Sequence, residues 1–550
     1  MAALVGAGLV AAGCHHARPG GENTGAAAHA PLPRTRAERT SYRETSTYAD
    51  VIAFIDSLQH AGAPMSRQEL GRTTEGRVLP LLVLSRPVVT TPEQAKALNR
   101  PIVYVQANIH AGEVEGKEAL LALVRDLATT RNNVLDSIVL IAIPIYNADG
   151  NERFGPQSVN RTEQNGPESV GQRPNAQMLD LNRDYVKAEA PETRASLAAF
   201  EKWNPDVFVD LHTTDGSFHG YALTYAPSLA DAREATQYSQ DSLLPELRRR
   251  MKQREGLEVF DYGNFDTQYE ERDITDTVKS GWYTYDNRPR FGTNYFGLRQ
   301  RIAVLSEAYS HDPFEKRVRS TYAFVRELLS LVAEKSEVIR LLGLRADSYA
   351  LTGGDFGTPV AIKWRLPTQN PRTEDVTFEV MARTGDSSLT QPGVPRGFRR
   401  TGMMKTQPMP VYDRFEPVVG RTIPRAWLLP ASDKAAIELL RLHGVRVEPV
   451  RAGMTARISR FMIDSLHREP KEFQGHHEMR VSGSWRDTTA HLPNDMVIVR
   501  TDQSQAIVAL YLLEPESDDG LVTWNLFDRE LAPGRLFPVW RVLTPFDASR

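Results

Sequence analysis

Two hydrophobic periodicities alternate along residues 45–342. Short apolar runs bounded by turn residues read as buried strands, and longer stretches with one apolar face read as helices. Pro101-Ile102-Val103-Tyr104-Val105-Gln106-Ala107 has the first pattern, and residues 116–124, just after it, have the second. The strand pattern recurs at 79–84, at Val207-Phe208-Val209-Asp210-Leu211 and at Ile302-Ala303-Val304-Leu305. Residues 48–58 have helical apolar spacing, and a long helix is expected at about 315–341. Strands alternating with helices predict an α/β fold with a mixed, mostly parallel sheet flanked by helices.

The pattern changes on both sides. Residues 15–44 are rich in Gly, Ala, Pro and Arg without periodicity and read as a flexible linker. Residues 343–425 are Pro-rich with short strand signals, such as 377–382, and predict a β-sandwich-like module. Residues 426–550 read as a small α/β unit followed by β structure. Ser432 is placed to cap a helix through Leu442, and Gly444 to end it. The stretch 512–520 reads as part of the β-rich remainder. No residue beyond 342 suggests chemistry, so packing or the shaping of access is expected there.

Candidate chemistry sits at strand ends. Asn108-Ile109-His110-Ala111-Gly112-Glu113 leaves the strand at 101–107, and His212 ends the strand at 207–211. In a mostly parallel sheet such ends converge at one edge, where ligands usually bind. Two histidines and a glutamate make a good zinc set, with one position left open.

The order of these motifs resembles the zinc metallocarboxypeptidases, the M14 family with the carboxypeptidase A-like fold. The features that carry the resemblance are the His-x-x-Glu pair, Asn147-Ala148-Asp149-Gly150, Asp180-Leu181-Asn182-Arg183, the lone His212 and the late Glu307 in Leu305-Ser306-Glu307-Ala308. Roughly residues 45–340 are covered. The resemblance implies that His110, Glu113 and His212 hold one Zn²⁺, which lowers the pKa of water to about 7 and polarises a carbonyl. It implies that Glu307 is general base and then acid, and that Asp180 orients His110. Asn182 and Arg183 are implied to hold a peptide's free C-terminal carboxylate, a task that suits arginine's planar fork. The family's oxyanion-stabilising arginine falls to Arg161, although its spacing to Asn182 is longer than in digestive enzymes. Its mobile tyrosine falls to Tyr285 or Tyr295.

Three positions depart from the family pattern. Gly112 stands where arginine is common, Ala148 where proline is, and Asp184 where asparagine is. An acidic Asp184 beside substrate would favour basic or amino-bearing peptides. Structural alternatives stay open at this stage: Glu307 paired with Arg299 or Arg301, Asp180 bridged to Arg183, His219 as a packing residue, and His476-His477-Glu478 and His15-His16 as surface residues.

A net charge of −3 with interspersed signs gives no nucleic-acid footprint. The sole cysteine, Cys14, ends an apolar run of small residues that resembles a bacterial lipoprotein signal. No Lys or Arg precedes that run, and Ala11 occupies a place where leucine is more usual. The competing reading of residues 1–14 is an unstructured Ala/Gly-rich leader. Export with a lipid anchor at Cys14 is the expectation. The expected activity is removal of C-terminal residues from peptides outside the cytoplasm. Alternatives are a peptidoglycan stem-peptide peptidase, a related zinc amidohydrolase, or a non-catalytic peptide- or glycan-binding protein.

Overall fold

Eight strands make the central sheet of this computed structural model: β1 (Met65–Arg72), β2 (Val78–Leu84), β3 (Ile102–Ala107), β4 (Val139–Ile143), β5 (Val207–Thr213), β6 (Leu223–Pro227), β7 (Val259–Asp261) and β8 (Ile302–Ala308). Residues 32–544 are described, apart from 231–232, 266–280, 368, 387, 389–393, 395 and 452–453. Cys14, His15-His16 and the first part of the expected linker lie outside the described residues.

The strand order is β1-β2-β4-β3-β5-β8-β6-β7. The middle four, β4-β3-β5-β8, run parallel. Antiparallel pairings of β2 with β4 and of β8 with β6 flank them, so the sheet is mixed. All residues of β3, β4, β5 and β8 are buried. Strands covered on both faces read as continuous apolar runs rather than alternating ones. That is why they stand out in the sequence.

Successive residues still pack on opposite layers. Val103, Val105, Val207 and Val209 meet helices α3 (Glu115–Thr129) and α5 (Phe314–Glu334) through Leu120, Val124 and Phe324. On the other face Tyr104 and Phe208 stack near Phe200 of α4 (Pro191–Trp203). Each such buried aromatic or aliphatic side chain contributes about 1.5–3 kcal/mol. Isolated surface ion pairs contribute about 1 kcal/mol or less, so the two apolar layers set the fold.

Several expectations need correction. Residues 32–44 are structured, not linker. Helix α1 (Arg36–Arg39) opens with a capping box between Thr35 and Glu38, and Ala37 is buried against Val114 and Phe314. Composition hid a Thr-x-x-Glu signal that outweighs it. Helix α2 (Tyr48–His60) follows as expected. The long helix is two: α5 ends at Glu334, Lys335 leaves helical geometry (φ −102°, ψ 19°), and α6 (Ser336–Leu351) continues past residue 342.

After α6, the expected sandwich is instead two antiparallel ribbons, one a hairpin and one closed by strands distant in sequence. In one, β9 (Pro359–Arg365) pairs with β12 (Glu416–Thr422); in the other, β10 (Arg372–Arg383) pairs with β11 (Phe398–Tyr412). The short strand Trp282–Tyr283 adds to β11. Val376, Phe378 and Met409 pack on Tyr221, Phe260 and Trp282 of the preceding domain. A ribbon whose apolar face is covered in this way needs no second sheet.

The last unit has a six-stranded sheet of β13 (Ala426–Pro430), β14 (Glu448–Pro449), β15 (Thr455–Arg468), β16 (Met479–His491), β17 (Met496–Arg500) and β18 (Leu536–Val542). Its order is β14-β17-β13-β18-β15-β16. Helix α7 (Lys434–Leu442) is preceded by Asp433 and has no side-chain cap, so Ser432 does not fill that role. Helix α8 (Ala506–Leu513) occupies part of the stretch expected to be β. It is apolar all round because it is wholly buried, which leaves no periodicity to read.

One hydrophobic cluster runs from Tyr104 and Phe200 to Trp427, Phe461 and Leu510, so this unit shares a core with the first. At the seam the Tyr295 hydroxyl lies 2.7 Å from His443 Nδ1, and His443 Nε2 lies 2.9 Å from the Val186 carbonyl. Both contacts suit a neutral ring that accepts at Nδ1 and donates from Nε2–H. Burial pushes His443 down to about 4, from 6.5. The unfolded chain therefore binds the proton first. Stability from this group is whole above pH 6.5 and is lost as pH falls to 4, by up to roughly 3 kcal/mol. Denaturant midpoints across that window should fall more steeply for the wild type than for His443→Gln, and equal slopes would exclude His443 from the acid response.

Candidate metal centre and active-site cavity

The metal-ligand candidates are placed by two strand ends. After β3, Asn108 takes a left-handed backbone (φ 64°), which asparagine tolerates better than most residues. The Asn147 N–H donates to the Asn108 carbonyl at 3.1 Å, and the Glu113 N–H to the His110 carbonyl at 3.0 Å. This tight turn needs Gly112. A Cβ there would lie 2.7 Å from Arg161 Cγ and 3.0 Å from the Gly171 carbonyl. His212 sits on β5 directly beside Glu307 on β8, in parallel register. Neighbouring strands are about 4.8 Å apart, so both side chains reach one edge.

Three donors converge there. His110 Nδ1 is 2.9 Å from Glu113 Oε1, His212 Nδ1 is 3.0 Å from Glu113 Oε2, and the two Nδ1 atoms are 3.2 Å apart. The donor atoms of the trio lie within 4.8 Å of one another, and all three residues are buried. The outer ring nitrogens are held by carboxylates: His110 Nε2 is 3.0 Å from Asp180 Oδ1, and His212 Nε2 is 3.0 Å from Asp210 Oδ2. The His110 Nε2 proton then has an acceptor in Asp180, and both Nδ1 atoms face the common point, an arrangement typical of zinc-bound histidines. The residues fit zinc.

Charge is finely balanced. Burial alone would raise the Glu113 carboxyl, but His110 and Arg161 hold it well below the usual carboxylate range. Loss of solvation would raise the half-buried Asp180 too, yet Arg173 and His110 hold it well below the usual carboxylate range. Burial lowers His212, and Asp210 and Glu113 more than reverse this. Glu307 goes the other way. Burial raises it well above the usual range against the pull of His212, and Glu113 and Asp215 push it higher. A carboxyl this poorly solvated gains strongly from an added cation.

A cavity of about 240 Å³ opens on the trio, lined also by Arg173, Asn182, Arg183, Tyr285 and Glu307. Glu307 is not tied to the arginines near it in sequence. Arg299 pairs with Glu201 and Arg301 with Asp347, and Glu307 Oε2 has no hydrogen-bond partner among the described residues. Asp180 bridges to Arg173 at 3.0 Å, not to Arg183. Asn182 Oδ1 accepts the Gly292 N–H at 2.8 Å. Arg183 donates to the Asn182 carbonyl at 2.8 Å, and its guanidinium lies 3.9 Å from the Phe291 ring centre. The Tyr285 hydroxyl donates to Asn294 Oδ1 at 3.1 Å.

Four site expectations do not match this geometry. Arg161 does not line the cavity; it donates to Glu113 Oε1 at 3.0 Å and to the Thr213 and Thr214 carbonyls. Arg173, by contrast, lines the cavity beside the trio, 3.3 Å from Glu113 Oε1. Tyr295 is buried at the His443 seam, away from the cavity. Asp184 is buried against Lys187 at 2.6 Å and accepts the Ala190 N–H, so it cannot select substrate charge. Finally, Glu478 is buried and His476 half-buried, where surface positions were expected. His219 packs on Tyr309. Asp215, Tyr262, Asp286, Arg288 and Phe473 also line the cavity without having been anticipated.

A His-Glu-His centre beside a buried carboxyl, at the C-terminal edge of a mixed α/β sheet, is the site of a metallohydrolase. Residues 51–289 match the family described as zinc carboxypeptidase. Carboxypeptidase 2 of Trichophyton rubrum is 24% identical over 502 residues, covering 89% of this chain and 85% of that protein. Carboxypeptidase 2 of Trichophyton tonsurans is 23% identical over 485 residues, covering 86% and 81%. Among solved structures, a metallo-carboxypeptidase from Burkholderia cenocepacia is similar over 53% of this chain and 70% of its own, with 18% identity and a TM-score of 0.39. Residues 51–289 are thus a zinc carboxypeptidase (M14) domain, and with the relatives and the His-Glu-His trio they make the protein a metallopeptidase with a zinc cofactor and peptide substrates.

The contact between Asp180 and His110 sets a measurable affinity. Asp180→Asn should weaken zinc binding about 10- to 100-fold in a chelator competition, while His212→Ala should abolish stoichiometric zinc. Unchanged affinity in Asp180→Asn would remove its orienting role.

Proposed function

We propose that the protein removes single residues from the free C-terminus of peptides, outside the cytoplasm, and that Arg183 and Asn182 bind the terminal carboxylate. The observation that carries this reading is Arg183. It is a half-buried guanidinium with no ion pair among the described residues, in the same cavity as Glu307 and the His-Glu-His trio. An arginine left without a carboxylate partner in a half-buried cavity wall is suited to an anionic ligand, and its fork matches a carboxylate bidentately. With Asn182 Oδ1 already taken by Gly292, the amide NH₂ is the group left to donate. A clamp of this kind fixes the scissile bond one residue from the terminus.

His110, Glu113 and His212 would hold zinc, which when bound would supply a Lewis acid for the scissile carbonyl. Glu307, on the neighbouring strand, takes a proton from the attacking water and returns it to the leaving amine. Its free Oε2 and poor solvation favour that transfer. Arg173 faces the cavity and donates to the developing oxyanion, a contribution of about 3 kcal/mol for donors of this kind. Arg161 keeps Glu113 ionised and in place. Tyr285 closes the side of the cavity next to Phe291.

The location is part of the proposal and rests on sequence. The apolar run to Cys14 supports export with a lipid anchor at that cysteine. Among the described residues no helix is long and apolar enough to cross a membrane. Palmitate labelling of the full chain in a bacterial host, lost in Cys14→Ser, is the expected result; unlabelled protein would leave the anchor without support.

Peptide libraries with free or amidated C-termini test the activity. Single-residue release from free-ended peptides only, lost in Glu307→Gln with zinc retained, is expected. Cleavage of amidated peptides would overturn the clamp. Arg173→Ala should lower kcat about 100-fold with full zinc occupancy, whereas Arg161→Ala should lower zinc content; the reverse pattern would exchange the two roles.

A further inference from the structure

We propose that the C-terminal unit completes the substrate site: Phe473 is a specificity-determining wall of the cavity, and Gln474 is a positioning residue for the turn that carries Asp180, Asn182 and Arg183. This rests on the carboxypeptidase reading and adds to it a site element supplied from far outside the family-matched segment.

The connection between β15 and β16 ends in a two-residue turn. Phe473 and His476 exchange backbone hydrogen bonds at 2.7 and 3.0 Å, and between them Gln474 (φ 52°) and Gly475 (φ 80°) both take positive φ. Turns of this shape join twisted strands well, and Asn or Gly is preferred at their first central position. Glutamine there is strained. Strain at a non-glycine residue is a pointer to function when something over-determines the conformation. Here the Gln474 side chain does so, because its Oε1 accepts the Asp180 N–H at 2.8 Å.

That bond holds the backbone of a short segment on which much of the site hangs. Asp180 orients His110 and pairs with Arg173, and the next turn carries Asn182 and Arg183. One residue before Gln474, Phe473 lines the cavity itself. The other cavity wall is gripped from the same unit. Arg290 is fully buried between Glu478 (2.6 Å) and Asp519 (2.9 Å), and its backbone N–H donates to Asp519 at 2.7 Å. Arg288, two residues earlier, lines the cavity and reaches Glu478 at 3.5 Å. His476 adds a contact to Glu189 at 2.8 Å. Both walls are thus held from the C-terminal unit, one through Gln474 and the other through Glu478 and Asp519.

Binding separates positioning from folding. In the zinc-loaded Glu307→Gln background, N-acetylated dipeptides with Ala or Trp at either position are titrated calorimetrically. Gln474→Gly should raise Kd at least tenfold while leaving Tm unchanged or higher, because glycine relieves the strained turn as it deletes the bond. A merely structural residue would lower Tm along with affinity. Phe473→Ala should shift the Trp-to-Ala affinity ratio at one position at least tenfold, and Phe473→Leu should shift it less. A Kd within twofold of the parent for Gln474→Gly removes the positioning role, and an unchanged ratio for Phe473→Ala removes the wall. Failure of the parent to bind any free-ended dipeptide overturns both roles. Turnover by the wild type is measured separately: activity with unaltered variants rejects only the hairpin's role, while binding without turnover rejects the peptidase reading instead.

Discussion

The Glu113 carboxylate is the constraint on which the site depends. A buried carboxylate carries an effective desolvation penalty of several kcal/mol, repaid only when its geometry is good and its lone pairs are filled. Here two imidazoles, two guanidiniums and the Thr213 N–H surround it. Each of these partners is fixed in turn. Arg161 must pass across the turn at Gly112 to arrive, which forbids a side chain there. Thr213 arrives because β5 is in register with β3 and β8. Taking away one partner leaves an uncompensated charge, commonly at a cost of about 3–5 kcal/mol. The fold and the metal centre are therefore specified together.

How much could be read in advance follows the same division. The central strands were legible because burial on both faces writes continuous apolar runs. His110, Glu113, His212 and Glu307 were legible because they sit at the ends of those runs. Arg173 was not, because residues 161–180 form a long irregular loop in which spacing says little about direction. Tyr295 misled because it lies in the helix Gly292–Leu298, whose turn aims it at His443, whereas Tyr285 precedes that helix and faces the cavity. Helix α8 lacked a period because no face of it meets water. Phe473 and Gln474 carried no local signal at all; their meaning depends on Asp180, which is 294 positions away from Gln474.

The units recognised in sequence are less separate than their composition implies. Helix α6 crosses the expected boundary at 342, Trp282–Tyr283 contributes a strand to the ribbon that follows, and one apolar cluster joins Phe200 to Phe461. An alignment over 89% of the chain to Trichophyton carboxypeptidase 2 likewise cannot be confined to the first 342 residues. The later units are parts of the scaffold that holds the cavity.

The position of β18 gives this scaffold a history as well as a shape. In the six-stranded sheet, β15 and β16 reach the other strands only through β18, the last strand among the described residues. Until residues 536–542 have left the ribosome, the hairpin bearing Phe473 has an open edge and no seat in its sheet. Pairings this distant along the chain also form slowly. The wall facing the zinc centre is thus seated only after the metal ligands have been made, so a chain interrupted before residue 536 carries those ligands without a finished place for a peptide to lie.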